Sequence, residues 1–131
     1  MTTSQEIGQR FLAALCADDF AAMGNCLTPA VRLRALLPRR TVDVAGREAA
    51  MELLSDWLGA GSPRTVVDAS ADVVGQRLHL SYRVLLADED GQQVMEQQAY
   101  CDVTADGISS VRLLCAGHMP APDSAGQVPV T

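Results

Sequence analysis

In the stretch QRLHLSYRVLL, residues 76–86, Arg77, His79, Ser81 and Arg83 stand at every second position. A histidine beside an acid can serve as a general base, so this row could be catalytic. The alternating residues Leu78, Leu80, Tyr82 and Val84 are apolar or aromatic. In a strand the two sets point to opposite faces. Other residues of interest are Trp57, Gln97, Arg32, Arg34, His118 and four cysteines. Cys16, Cys26, Cys101 and Cys115 form no C-x-x-C pair, and only two histidines accompany them. That argues against zinc and for buried, reduced thiols.

The whole chain narrows the classes. It has 131 residues, a length suited to one domain, and a formal net charge of -6. All ten basic residues are arginine, scattered among acids. Nucleic-acid binding needs a basic footprint and is not expected. No apolar run of about 18 residues points to a membrane span. The start, MTTSQEIGQR, lacks the basic and apolar regions of a secretory signal, so the expected location is cytoplasmic.

Thr3 and Glu6 have the spacing of a capping box, and Ile7, Phe11, Leu12 and Leu15 follow at helical intervals. A helix is predicted over about 3–17. Asp18 or Asp19 can cap a second, short helix, stopped by Thr28-Pro29. VRLRALL (31–37) and TVDV (41–44) read as strands across a Pro38-Arg39-Arg40 turn. A third helix, about 46–59, opens at Gly46 and ends in Gly59-Ala60-Gly61-Ser62-Pro63. Four period-two strands follow, separated at Gly75-Gln76, Asp90-Gly91 and Asp106-Gly107. The pattern predicts one α+β domain over 1–119 and an extended or mobile tail over 120–131.

Pairing the strands across these turns answers the question of the arginine and histidine row. A hairpin centred on Asp90-Gly91 sets Tyr82 opposite Ala99, Leu80 opposite Cys101, and His79 opposite Asp102. The next hairpin sets Cys101 opposite Val111 and Ala99 opposite Leu113. One face then collects Leu80, Tyr82, Met95, Gln97, Ala99, Leu113 and Cys115. The other collects Arg77, His79, Arg83, Glu96, Tyr100, Asp102 and Arg112. A one-residue slip would mix the two sets. The apolar face belongs under the helices, so the charged row is the outside of the sheet, where His79 is expected to pair with Asp102. An open sheet face excludes no water, which argues against a His/Asp dyad. Cross-strand ion pairs there are worth roughly 0.2–1 kcal/mol each. Arg32 and Arg34 are expected on an exposed sheet edge, or as guards of an anion site. Bland roles are expected for Asp43, Glu48 and His118.

The order of elements, the helix RFLAALCADDF (10–20) and the closing DGISSVRLLCAGH (106–118) resemble the nuclear transport factor 2-like superfamily, and its bacterial SnoaL-like branch in particular. The resemblance covers about residues 4–119. It implies a cone: three helices on a curved, mainly antiparallel sheet, around an apolar pocket. It also implies a homodimer through the outer face, here Arg77, His79, Arg83, Glu96, Tyr100, Asp102 and Arg112.

The catalytic acids of such enzymes are not matched. Where ketosteroid isomerases carry a tyrosine, a base and a protonated Asp, this chain has Phe11, Ala35-Leu36-Leu37 and Ala99. Limonene epoxide hydrolase-like enzymes carry Asp where Leu85 and Leu113 stand, and SnoaL-type cyclases carry an Asp from about the latter place. Weak isomerase or cyclase chemistry would rest on polarising donors alone.

The leading expectation is binding of a small, largely apolar molecule inside the cone, lined by Phe11, Trp57, Tyr82, Gln97, Leu113 and Cys115, with no cofactor or metal. Trp57 and Gln97 would offer polar groups to that ligand. Replacing Gln97 by Leu should then alter selectivity more than stability. The alternative is a non-catalytic dimerisation module whose cone is filled by its own side chains.

Overall fold

The computed structural model describes residues 3–59, 64–88 and 91–120. The capping box forms: Thr3 Oγ1 accepts the Glu6 N–H at 3.1 Å and starts α1, Ser4–Cys16. Asp19 caps α2, Phe20–Asn25, through a 3.0 Å bond from the Ala22 N–H. The chain then enters β1, Leu27–Leu37. Thr28-Pro29 therefore does not merely stop α2; both residues lie within β1. Pro29 is exposed, and the register of the strand is irregular between Leu27 and Arg32, the setting in which a strand tolerates proline.

β2, Arg40–Ala45, returns antiparallel to β1. Gly46, at φ 100°, leads into α3, Arg47–Trp57. Four long strands complete the chain: β3 Arg64–Val74, β4 Arg77–Asp88, β5 Gly91–Thr104 and β6 Gly107–Pro120. The six strands lie in the order β2-β1-β6-β5-β4-β3, antiparallel except where β1 and β6 run parallel. β1 is thus an inner strand. Arg32 and Arg34 lie on an exposed face, not on the expected sheet edge.

The second hairpin pairing is as the sequence predicts, with Cys101 opposite Val111 and Ala99 opposite Leu113. The first is displaced by two residues. Tyr82 faces Gln97, Leu80 faces Ala99, Leu78 faces Cys101, and His79 faces Tyr100 rather than Asp102. Asp88 pairs with Gly91, so the connection is centred one residue earlier than Asp90-Gly91. Moving a hairpin centre by one shifts the register by two, and a shift of two preserves the faces. Asp90 itself, the loop 60–63 and the tail 121–131 lie outside the described residues; Met119 and Pro120 belong to β6.

α1 buries Ile7, Gly8, Phe11, Leu12, Ala14 and Leu15 against the sheet. Gly8 permits the close approach, since a Cβ there would lie 2.8 Å from Leu78 Cδ1. α3 adds Ala50, Leu54 and Trp57. Fully burying a side chain such as Leu15 or Leu54 stabilises by about 1.5–3 kcal/mol.

Two buried-side arginines tie the layers together. Arg64 donates to Leu58 O at 2.7 Å and Leu15 O at 2.8 Å, binds Asp18 at 3.0 Å and lies over the Phe20 ring. It so satisfies backbone carbonyls at the ends of both long helices. Arg47 does the same for Leu27 O with two bonds. No helix among the described residues is long and apolar enough to cross a membrane.

Candidate functional site

Strand register brings Tyr82, Gln97 and Cys115 into one row across β4, β5 and β6, on the inner face. The Tyr82 hydroxyl donates to Gln97 Oε1 at 2.6 Å. Gln97 Nε2 donates to Cys115 Sγ at 3.4 Å, and the Gly117 N–H donates to the same sulfur at 3.4 Å. Gln97 is completely buried, and Tyr82 nearly so. The polar groups of this row therefore satisfy one another, as a buried network must. Among the described residues no buried side-chain nitrogen or oxygen lacks a partner.

Phe11, Tyr82 and Leu113 line, with Leu54, Leu80 and Ala99, an interior cavity of about 10 Å³. That is at most room for a single water. Trp57 is 5% exposed and packs within the core; it does not border this cavity. Of the six residues expected to hold a ligand, Tyr82, Gln97 and Cys115 bond to one another, Phe11, Tyr82 and Leu113 border this cavity, and Trp57 lies in the core without bordering it.

The interior also lacks the charges that acid–base catalysis would use. Apart from Tyr82 and the Arg64 side chain, which is taken up by helix-end carbonyls, its buried polar residues among those described are Thr28 and Gln97. Phe11, Ala35, Ala99 and Leu113 are all buried and apolar. Burial raises the Tyr82 phenol well above its usual range, reinforced by Cys101 and Cys115, and so keeps it neutral. Burial, with Asp102 nearby, pushes the Cys101 thiol up to about 12. A thiol held neutral is a poor nucleophile. All four cysteines are free.

The outer face is built differently. Register places Asp43, Arg34, Arg112, Tyr100, His79 and Asp72 in one row that crosses all six strands. Arg83 pairs with Glu96 at 3.0 Å, and Arg112 reaches Asp102 at 3.8 Å. His79 does not pair with Asp102. Its Nε2 lies 3.2 Å from Gln98 Oε1, and its ring lies 4.7 Å from that of Tyr100. Asp102 instead accepts from Ser110 at 2.6 Å and faces Arg77 at 3.7 Å. Arg32 binds Asp43 through two bonds of 3.0 and 3.1 Å, which hold that carboxyl below its usual value.

A hollow of about 530 Å³ lies on this face, bordered by Arg34, Leu36, Thr41, Asp43, Tyr100, Arg112 and Leu114. Leu36 and Leu114 are more than half exposed. Sequence reasoning placed Tyr100 and Arg112 on this face but missed the hollow. It depends on the parallel pairing of β1 with β6, which no hairpin turn announces. The outward parity of Arg32, Arg34 and Leu36 was the available signal. The Arg64 clasp was also missed; its partners are backbone carbonyls, which leave no side-chain pattern in the sequence.

No known family's sequence pattern and no curated protein matches this chain. Solved structures do match in fold. A nuclear transport factor 2-like protein of unknown function from Mesorhizobium loti is 22% identical with a TM-score of 0.69, over 87% of this chain and 91% of that one. A protein of unknown function with a cystatin-like fold from Xanthomonas campestris is 14% identical with a TM-score of 0.71, over 88% and 92%. A candidate SnoaL-like polyketide cyclase from Mesorhizobium loti is 17% identical with a TM-score of 0.62, over 86% and 98%. The chain has the nuclear transport factor 2-like cone fold, as its sequence predicts.

Proposed function

We propose that this chain is a non-catalytic self-association module that pairs with a second copy through the outer face of its sheet. The observation that carries this reading is the closeness of the inner packing among the described residues: an interior cavity of about 10 Å³ beside polar groups that bond to one another. Binding a ligand there would mean moving core side chains and breaking the Tyr82–Gln97 bond. The outer face supports the interface. It joins charged residues of both signs to the exposed side chains of Tyr100, Leu36 and Leu114. A rim of charges around an aromatic and aliphatic patch is the usual composition of a protein interface. The interface residues are Arg77, His79, Arg83, Glu96, Tyr100, Asp102 and Arg112; a stable pair must bury roughly 1,000 Å² in all.

Sedimentation velocity over a wide concentration range tests this. The wild-type chain should be a dimer at micromolar concentration. Tyr100→Arg, which puts a like charge beside Arg112, should weaken the dimer at least tenfold with its fold intact by circular dichroism. A wild-type monomer at all concentrations would remove the proposal.

A second reading keeps the cone as a binding site for a small, largely apolar molecule. It is favoured by the likeness in fold to the candidate SnoaL-like polyketide cyclase. On that reading Phe11, Trp57, Tyr82, Gln97, Leu113 and Cys115 line a pocket that opens when the ligand enters, and any isomerase- or cyclase-type chemistry would use the Tyr82 and Gln97 dipoles, without a cofactor.

A further inference from the structure

Where β1 and β6 run parallel, like charges lie side by side. Arg34 is the register partner of Arg112. Adjacent strands are about 4.8 Å apart, and like charges directly opposite oppose the pairing. Each guanidinium has a carboxylate only at long range: Arg34 lies 3.5 Å from Asp43, and Arg112 lies 3.8 Å from Asp102. Both carboxylates are committed elsewhere. Asp43 receives the two short bonds from Arg32, and Asp102 accepts from Ser110 and faces Arg77. Among the described residues, four arginines therefore share two carboxylates, on a chain whose formal net charge is -6. An uncompensated cationic centre on an acidic protein calls for an anion.

The surroundings specify what kind of anion. Arg34 and Arg112 form a common wall between two depressions. One, of about 240 Å³, is polar, with Arg32, Asp102 and Ser110. The other is the hollow of about 530 Å³, whose exposed apolar side chains are Leu36, Leu114 and Tyr100. That volume lies in the range of small-molecule sites. We infer that the Arg34–Arg112 pair and this hollow bind a small organic carboxylate that carries an alkyl or aryl group. The carboxylate lies between the two guanidinium groups, whose planar forks suit its two oxygens. The apolar part covers Leu36, Leu114 and the Tyr100 ring. Asp102, at the polar end, disfavours a more highly charged phosphate. This inference does not rest on self-association and competes with it: Arg112, Tyr100, Leu36 and Leu114 serve both, so the carboxylate binds the unpaired face.

The test is an NMR titration of the full chain with octanoate, beside octanol and sulfate, on wild type and on Arg34→Gln, Arg112→Gln and Arg10→Gln. Octanoate should give saturable shifts at Leu36, Tyr100 and Leu114. Arg34→Gln and Arg112→Gln should each weaken binding at least tenfold, since each removes a charged hydrogen-bond donor. Arg10→Gln, on the exposed side of α1 and outside the hollow, should bind as wild type does, and octanol and sulfate should not saturate. Absent shifts, equal binding by the Arg34 and Arg112 variants, or equal saturation by octanol or by sulfate would overturn the proposal. Sedimentation of the same samples without octanoate reports self-association separately, so a monomer that still binds octanoate would sink only the dimer.

Discussion

The Tyr82 hydroxyl donates a hydrogen bond to Gln97 Oε1 at 2.6 Å, and Gln97 Nε2 in turn donates one to the Cys115 sulfur. The bond turns a polar group on the inner face from a ligand contact into a link between β4 and β5. Replacing Gln97 by Leu leaves the Tyr82 hydroxyl buried without its acceptor. The expected cost is about 1–3 kcal/mol in urea unfolding. The double variant Tyr82→Phe with Gln97→Leu should lose less than the sum of the single changes, because both partners are then apolar. Additive losses would show that the two residues act separately.

The same burial sets the alkaline limit of stability. Tyr82 is raised above its ordinary 10.0, and Cys101 is raised from 9.0 to about 12. In the unfolded chain these groups lose their protons from about pH 9 upward, while the native chain keeps them. The native state then binds more protons than the unfolded state, so stability falls as pH rises from about 9 to 12. Below pH 9 this contribution is complete and flat. Ultraviolet titration should show the phenolate signal of Tyr82 only as the protein unfolds. Its appearance at pH 10 in folded protein would contradict the buried bond.

Arg64 is the clasp between helices and sheet, with a side chain only 5% exposed. Arg64→Leu removes a donor from each of the Leu15 and Leu58 carbonyls, of which Leu15 O keeps the Asp18 N–H at 3.2 Å. A loss of about 2–4 kcal/mol is expected. Hydrogen exchange should quicken first in the last turns of α1 and α3. An effect confined to β3 would mean that Arg64 serves its own strand alone.

Gly107 sits at φ 129°, and a Cβ there would lie 2.6 Å from the Cys26 carbonyl oxygen, which itself accepts the Ile108 N–H at 2.8 Å. Gly107→Ala should therefore destabilise more than Gly91→Ala. Gly91 shares the positive φ, at 119°, but has nothing within 4 Å of such a Cβ. The difference between the two variants, read by thermal melting, isolates the clash from the backbone strain. Equal melting temperatures would show that β6 can move away from Cys26.

Much of the fold is written in short-range patterns. The Thr3–Glu6 box starts α1 as the spacing requires, and the alternation in 77–86 sends Tyr82 in and Arg83 out. Face is encoded by parity, which each residue carries itself. Register is encoded in the turn, and one residue of error there moved Tyr82 from Ala99 to Gln97. That small shift decides the chemistry: it pairs the two inner polar groups with each other. The parallel contact between Arg34 and Arg112 joins segments nearly eighty positions apart, with no turn to mark it. The cone's emptiness or fullness was equally illegible, since the identities of Phe11, Leu80 and Leu113 fix an apolar lining but not how closely it closes.

The most direct measurement is native mass spectrometry of the gently purified chain. The account predicts a dimer at twice the 13.9 kDa chain mass, with nothing further retained in the cone. A discrete added organic mass, lost when Leu113 is enlarged to Phe at the residual cavity, would contradict the filled cone.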